Sequence, residues 1–171
     1  MADLLSAIRA HYVRQLAEAV RDIPDAESAY RNEDGTLALQ GVLQLPGRAD
    51  FLLNGEPQSV DSDSRLTFDP MEVQHQACTI VFEPFTWDWA TVIAQGIEVA
   101  EMSTILSEWF YRWFERADGE ALLGVVHFAS DPVAREGAVE TTLDLGSAPV
   151  DALLELLKTL AARGATNIRV L

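Results

Sequence analysis

Four aromatic residues, Phe82, Phe85, Trp87 and Trp89, fall within eight positions, and Asp88 lies between the two tryptophans. Aromatic walls around one polar handle suit a small-molecule pocket or a protein hot spot. A second group, Trp109, Phe110, Tyr111, Trp113 and Phe114, follows on a helical stretch, so these two places hold all four tryptophans of the chain. With Met102 and Leu106, most of that second group shares one side of a helix, which is what a core face requires. The other side carries Glu98, Glu101, Glu108, Arg112 and Glu115. Such a stripe is a solvated face or a docking surface for a basic partner. Glu98 and Glu101 are neighbours at i,i+3 spacing. No nucleophile or metal ligand stands near them in sequence, so no catalytic residue is assigned. The expected binding residues are Trp87, Asp88, Trp89, Glu98, Glu101 and Glu108.

Other reactive residues yield no motif. Asp61, Asp63, Asp69 and Glu72 match four positions of a calcium loop, but Arg65 and Leu66 stand where a ligand oxygen and a glycine belong. The histidines, His11, His75 and His127, have no metal-ligand spacing, and His127 reads as a satisfied residue in or beside the core. Cys78 shares a face with Ile80 and Phe82, so it reads as a buried, inert thiol. There is no phosphate-binding glycine loop, nucleophile elbow or zinc-protease helix. Neither a cofactor nor a metal site is expected.

The elements that must position these residues read as α+β. Leu4, Leu5, Ile8, Tyr12, Leu16, Val20 and Ile23 predict a helix that Pro24 stops. Strands are expected at 37–45, 48–53 and 65–69 from their period-2 alternation. A strand over 76–85, a helix over 97–117 and strands over 121–129 and 138–145 follow. In the last of these, Val139, Thr141, Leu143 and Leu145 face inward and Asp144 faces outward. A helix with Ser147 as N-cap and Gly164 as its stop precedes a final strand over 166–170. Residues 76–171 thus take the order βαββαβ of a ferredoxin-like unit. The three earlier strands extend a largely antiparallel, possibly mixed, sheet of about seven strands. Residues 1–171 are read as one domain with three main helices.

The chain has 171 residues, 27 Asp plus Glu against 12 Lys plus Arg, and one cysteine. That length supports one sizeable core, and a lone cysteine excludes an intrachain disulfide. The net charge of −15 opposes binding to nucleic acid and to anionic membranes, because phosphates reward Lys and Arg. No signal peptide or membrane span is read, so a soluble, cytoplasmic protein is expected. The functional expectation is a non-catalytic acidic protein that engages a basic protein partner. A bacterial toxin-neutralising immunity protein is one version. The alternatives are a small-molecule binding module with an aromatic-lined pocket and an enzyme with dispersed Asp, Glu and His residues. A final strand ending at Leu171 would also suit edge pairing in a homodimer.

Overall fold

A computed structural model describes residues 1–23, 49–54, 56–60, 65–114 and 122–171. The expected strand at 37–45, the Asp61 and Asp63 pair and Glu115 lie outside the described residues.

Helix α1 spans Ala2–Ala19 and buries Leu5, Ile8, Tyr12 and Leu16. Their steps of three and four residues put them on one stripe, which supplies the burial a lone helix lacks. It ends earlier than expected, because Val20–Ile23 form a turn. Strands β1 (Phe51–Leu53) and β2 (Glu56–Gln58) make a two-stranded antiparallel hairpin apart from the main sheet. Residues 65–70 have no strand structure, against expectation.

The main sheet has seven strands: β3 (Met71–His75), β4 (Cys78–Phe82), β5 (Ala90–Gln95), β6 (Phe128–Ala129), β7 (Val133–Arg135), β8 (Ala138–Asp144) and β9 (Asn167–Val170). They run in the order β3-β4-β9-β5-β8-β6, with β7 also paired to β8. Every pairing is antiparallel except β4 with β9. This is an α+β fold with three helices, as expected; the ferredoxin-like order expected over residues 76–171 is not confirmed in that register, because a second strand, β5, stands between β4 and the helix that follows. Three strands, β3, β4 and β5, precede helix α2 (Val99–Phe114), and three more precede helix α3 (Val150–Ala162). The expected strand over 76–85 is in fact the return half of a hairpin that turns at Gln76, a non-glycine residue with φ of 54°. Strand β5 was not expected, because its first five residues, Ala-Thr-Val-Ile-Ala, show no polar alternation. It nevertheless lies inside the sheet, between β9 and β8. Strand β9 also lies inside, between β4 and β5, so a homodimer cannot form through its edge.

Helices α2 and α3 cover one face of this sheet. The inward rows Ile80 and Phe82, Val92 and Ala94, Val139 and Leu143, and Ile168 and Val170 join Met102, Leu106, Trp109, Phe110, Leu153, Leu157 and Leu160 in one core. The indole N–H groups of Trp109 and Trp113 donate to Ala152 O at 2.8 Å and Glu155 Oε2 at 3.2 Å, which ties α2 to α3. Gly164 ends α3 as expected: its N–H donates to Ala161 O, and that of Ala165 donates to Leu160 O. These two bonds satisfy carbonyls the helix end would otherwise leave open. Ser147 is not the N-cap, which is Pro149. The Ser147 hydroxyl instead accepts the Gly124 and Val125 N–H groups at 2.8 and 3.1 Å. No helix among the described residues is long and apolar enough to cross a membrane.

Candidate functional site: a buried Tyr–Asp–His–Asp cluster beside an exposed tryptophan

The six expected binding residues do not form one patch. Trp87 is fully buried and Asp88 nearly so, while Trp89 is 48% exposed. A tight turn explains the difference. The Trp89 N–H donates to Thr86 O at 3.1 Å, closing a bridge that turns one indole inward and leaves the next outside. Trp89 continues the alternation of Thr91 and Ile93, which are half-buried and opposite to the inward row Ala90, Val92 and Ala94. It therefore lies on the sheet face away from α2 and α3.

Glu98, just before α2, and Glu108 on it are exposed, and Glu101 is half-buried. Arg163, just after α3, offsets part of this acidity. Arg163 approaches Glu101 at 3.5 Å, and Arg112 of α2 pairs with Glu155 of α3. Exposed pairs of this kind contribute about 1 kcal/mol at most. Their main effect here is on surface charge.

Sequence reading missed a second site. Asp50, His127 and Asp144, each inaccessible to solvent through its side chain, converge where β1 begins, β6 begins and β8 ends. His127 Nδ1 lies 3.6 Å from Asp50 Oδ1 and 3.7 Å from Asp144 Oδ1. The Tyr12 hydroxyl of α1 donates to Asp50 Oδ1 at 2.5 Å, and the Val60 N–H donates to Asp50 Oδ2 at 2.6 Å. Burial raises the phenol pKa far above its usual range, and the carboxylates of Asp144, Asp50 and Asp88 add to the effect. Tyr12 therefore stays neutral and keeps its proton for Asp50.

The loop after β8 fixes the imidazole. The Gly146 N–H donates to Asp144 Oδ1 at 3.0 Å, and the His127 N–H donates to Asp144 O at 3.0 Å. A Cβ at Gly146 would stand 2.4 Å from His127 Cδ2 and 2.5 Å from Val125 O. Glycine is therefore required for the backbone to lie against the ring. Arg9 of α1 braces this loop from outside by donating to Ser147 O and Ala148 O, both at 2.7 Å. The Leu145 N–H reaches Trp87 O at 3.1 Å, joining the Thr86–Trp89 turn to the same loop.

The outward expectation for Asp144 thus fails. Strand parity does point it away from Leu143, but Asp50 and His127 cover it there. The core assignment of His127 holds: the residue is 2% exposed. An acid followed two residues later by glycine at a strand end was the only local signal. Asp50 and Tyr12 left none, because they reach the site through chain segments remote in sequence.

Cys78 is buried, as expected. Burial pushes its thiol up from the usual 9.0. Above about pH 9 the unfolded thiol ionises while the native one keeps its proton, so this group's contribution is full below that pH and falls as pH rises. Between about pH 8 and pH 10, wild type should lose more unfolding free energy than Cys78→Ala. Parallel urea-unfolding curves for the two proteins over that range would refute this.

Compared with protein-family models, with curated proteins and with solved structures, the chain finds no match.

Proposed function

We propose that the chain is a non-catalytic binding protein that engages a basic protein partner. The observation that carries this reading is Trp89. A tryptophan nearly half exposed on a tight turn, beside the half-buried row Thr91 and Ile93, has the form of an interface anchor. The net charge of −15 selects the sign of the partner, since complementary fields steer encounter and suppress wrong pairings. Glu98 and Glu108 supply exposed carboxylates on the helical side, so either face can contribute to attraction at a distance.

A toxin-neutralising immunity protein of a bacterium is one concrete form, in which carboxylates cover a cationic active site. The aromatic-lined pocket loses support. Trp87, Phe82, Phe85, Phe110 and Phe114 are packed in the core. The dispersed enzyme gains one observation, the Asp50–His127–Asp144 convergence, but those side chains are inaccessible to solvent. General acid–base work needs hydrogen-bond reach to a substrate proton.

The test is co-purification from the source cell with wild type, Trp89→Ala and the double variant Glu98→Lys/Glu108→Lys. A basic protein recovered with wild type should be lost at least tenfold with Trp89→Ala and should bind the charge variant more slowly at low salt. Equal recovery with all three proteins would refute the proposal.

A further inference from the structure

We propose that Asp50, His127 and Asp144 form the binding site of one divalent first-row transition-metal ion of the Zn²⁺ or Mn²⁺ type, held as a structural centre. One imidazole nitrogen and two carboxylate oxygens, from three separate chain segments, lie within 4.8 Å of one another. The two nitrogen–oxygen separations, 3.6 and 3.7 Å, exceed a hydrogen bond. Ligand atoms bound about 2.0–2.2 Å from one ion stand roughly 3.0–3.5 Å apart. The two nitrogen–oxygen pairs need to close by a few tenths of an ångström, and the two carboxylate oxygens, which lie within 4.8 Å of each other, by up to about 1.3–1.8 Å, to share one ion.

The surroundings are those of an oriented ligand set. Each aspartate takes a hydrogen bond that fixes its carboxylate: Tyr12 Oη and Val60 N on Asp50, and Gly146 N on Asp144. Outer partners of this kind set ligand direction and basicity at metal centres. Gly146 lies against the imidazole edge formed by Cδ2 and Nε2. The remaining nitrogen, Nδ1, is the one that faces the aspartates. The donor set decides the metal class. Imidazole with carboxylate suits Zn²⁺, Mn²⁺ or Fe²⁺, whereas Mg²⁺ and Ca²⁺ prefer oxygen alone. Full burial argues for a structural role, because catalytic ions keep a position open to substrate; with three protein residues as ligands, a second carboxylate oxygen or an enclosed water would complete the coordination. Such an ion would tie α1, the β1–β2 hairpin and the main sheet together at one point, independently of any partner.

The protein is unfolded in urea with EDTA, dialysed, and refolded with Zn²⁺, Mn²⁺, Mg²⁺ or no metal. Bound metal is counted by elemental analysis, and stability is followed by thermal unfolding. The expected result is one Zn²⁺ or Mn²⁺ per chain and a raised Tm, with no rise from Mg²⁺. Asp144→Asn keeps the side-chain volume and an acceptor for Gly146 N, and should weaken binding about 100-fold or more. Tyr12→Phe should weaken it about 10- to 100-fold while leaving the stoichiometry at one. Co²⁺ provides a readout free of variants, since ligation by protein nitrogen and oxygen in a closed site shifts and intensifies its visible bands. The proposal is overturned by sub-stoichiometric metal in folded wild type, by an aquo-ion Co²⁺ spectrum at saturation, or by equal binding of Mg²⁺. It is also overturned if binding survives Asp144→Asn and His127→Gln but is lost on removing His11 and His75.

Discussion

Gly146→Ala is expected to destabilise the protein by about 3 kcal/mol or more, read as a fall in the urea midpoint at unchanged m-value. Two effects combine. The residue has φ of +51°, where an L side chain costs about 1–2 kcal/mol. Its new Cβ would also stand 2.5 Å from Val125 O and 2.4 Å from His127 Cδ2. The ring can tilt, but the carbonyl belongs to a chain held by the Ser147 hydroxyl and by the Ala148 N–H, which donates to Val125 O. An internal control separates the two effects. Gly137 has φ of +84°, yet a Cβ there meets nothing within 4 Å. Gly137→Ala should therefore cost only the backbone part, about 1 kcal/mol. If the two alanine variants unfold at the same midpoint, the Gly146 loop is not packed on His127 as described. The loss of stability should also propagate: tilting the imidazole moves Nδ1 from the aspartates and should lower Zn²⁺ affinity together with stability.

Trp87→Ala should cost about 3–5 kcal/mol, whereas Trp89→Ala should cost about 1 kcal/mol at most. The two residues are two positions apart and identical in type, so composition cannot separate them. Burial does, because Trp87 is fully enclosed and truncation leaves a cavity its neighbours can only partly fill. Trp87→Phe tests a second point. The buried Trp87 Nε1 has no hydrogen-bond acceptor among the described residues, unlike its counterparts in Trp109 and Trp113. Leaving a buried donor unsatisfied costs about 1–3 kcal/mol. Removing that donor should offset much of the lost volume, so Trp87→Phe should fall within about 1.5 kcal/mol of wild type. Chemical denaturation of all three variants checks this. A Trp89→Ala protein as unstable as Trp87→Ala would mean that Trp89 is a packing residue, which would also remove the anchor from the proposed interface.

The amphipathic helices were legible in sequence because their signal is local. Leu5, Ile8, Tyr12 and Leu16 on α1, and Met102, Leu106, Trp109 and Trp113 on α2, repeat at helical spacing and are buried in the structure. Strand β8 was legible for the same reason, with Val139, Thr141 and Leu143 alternating inward. Strand β5 was not, because an interior strand flanked by apolar neighbours loses the alternation that marks a half-exposed one. The element order expected from residue 76 onward differs for the same reason, since β5, and not the strand over 76–85, is the strand that leads into α2.

Type and spacing alone determined the α+β class, the core faces of α1 and α2, the burial of Cys78 and His127 and the net negative charge of the chain. Each depends on periodicity or on net charge, which neighbouring residues carry among themselves. Only the tertiary structure decided that Trp87 is core and Trp89 surface, and that Arg163, just after α3, sets Glu101 apart from Glu98 and Glu108. It alone brought Tyr12 and Asp50 to His127 and Asp144. The physical reason is common to these outcomes: each depends on contacts between segments that the chain separates and the fold brings together, so no local pattern records them.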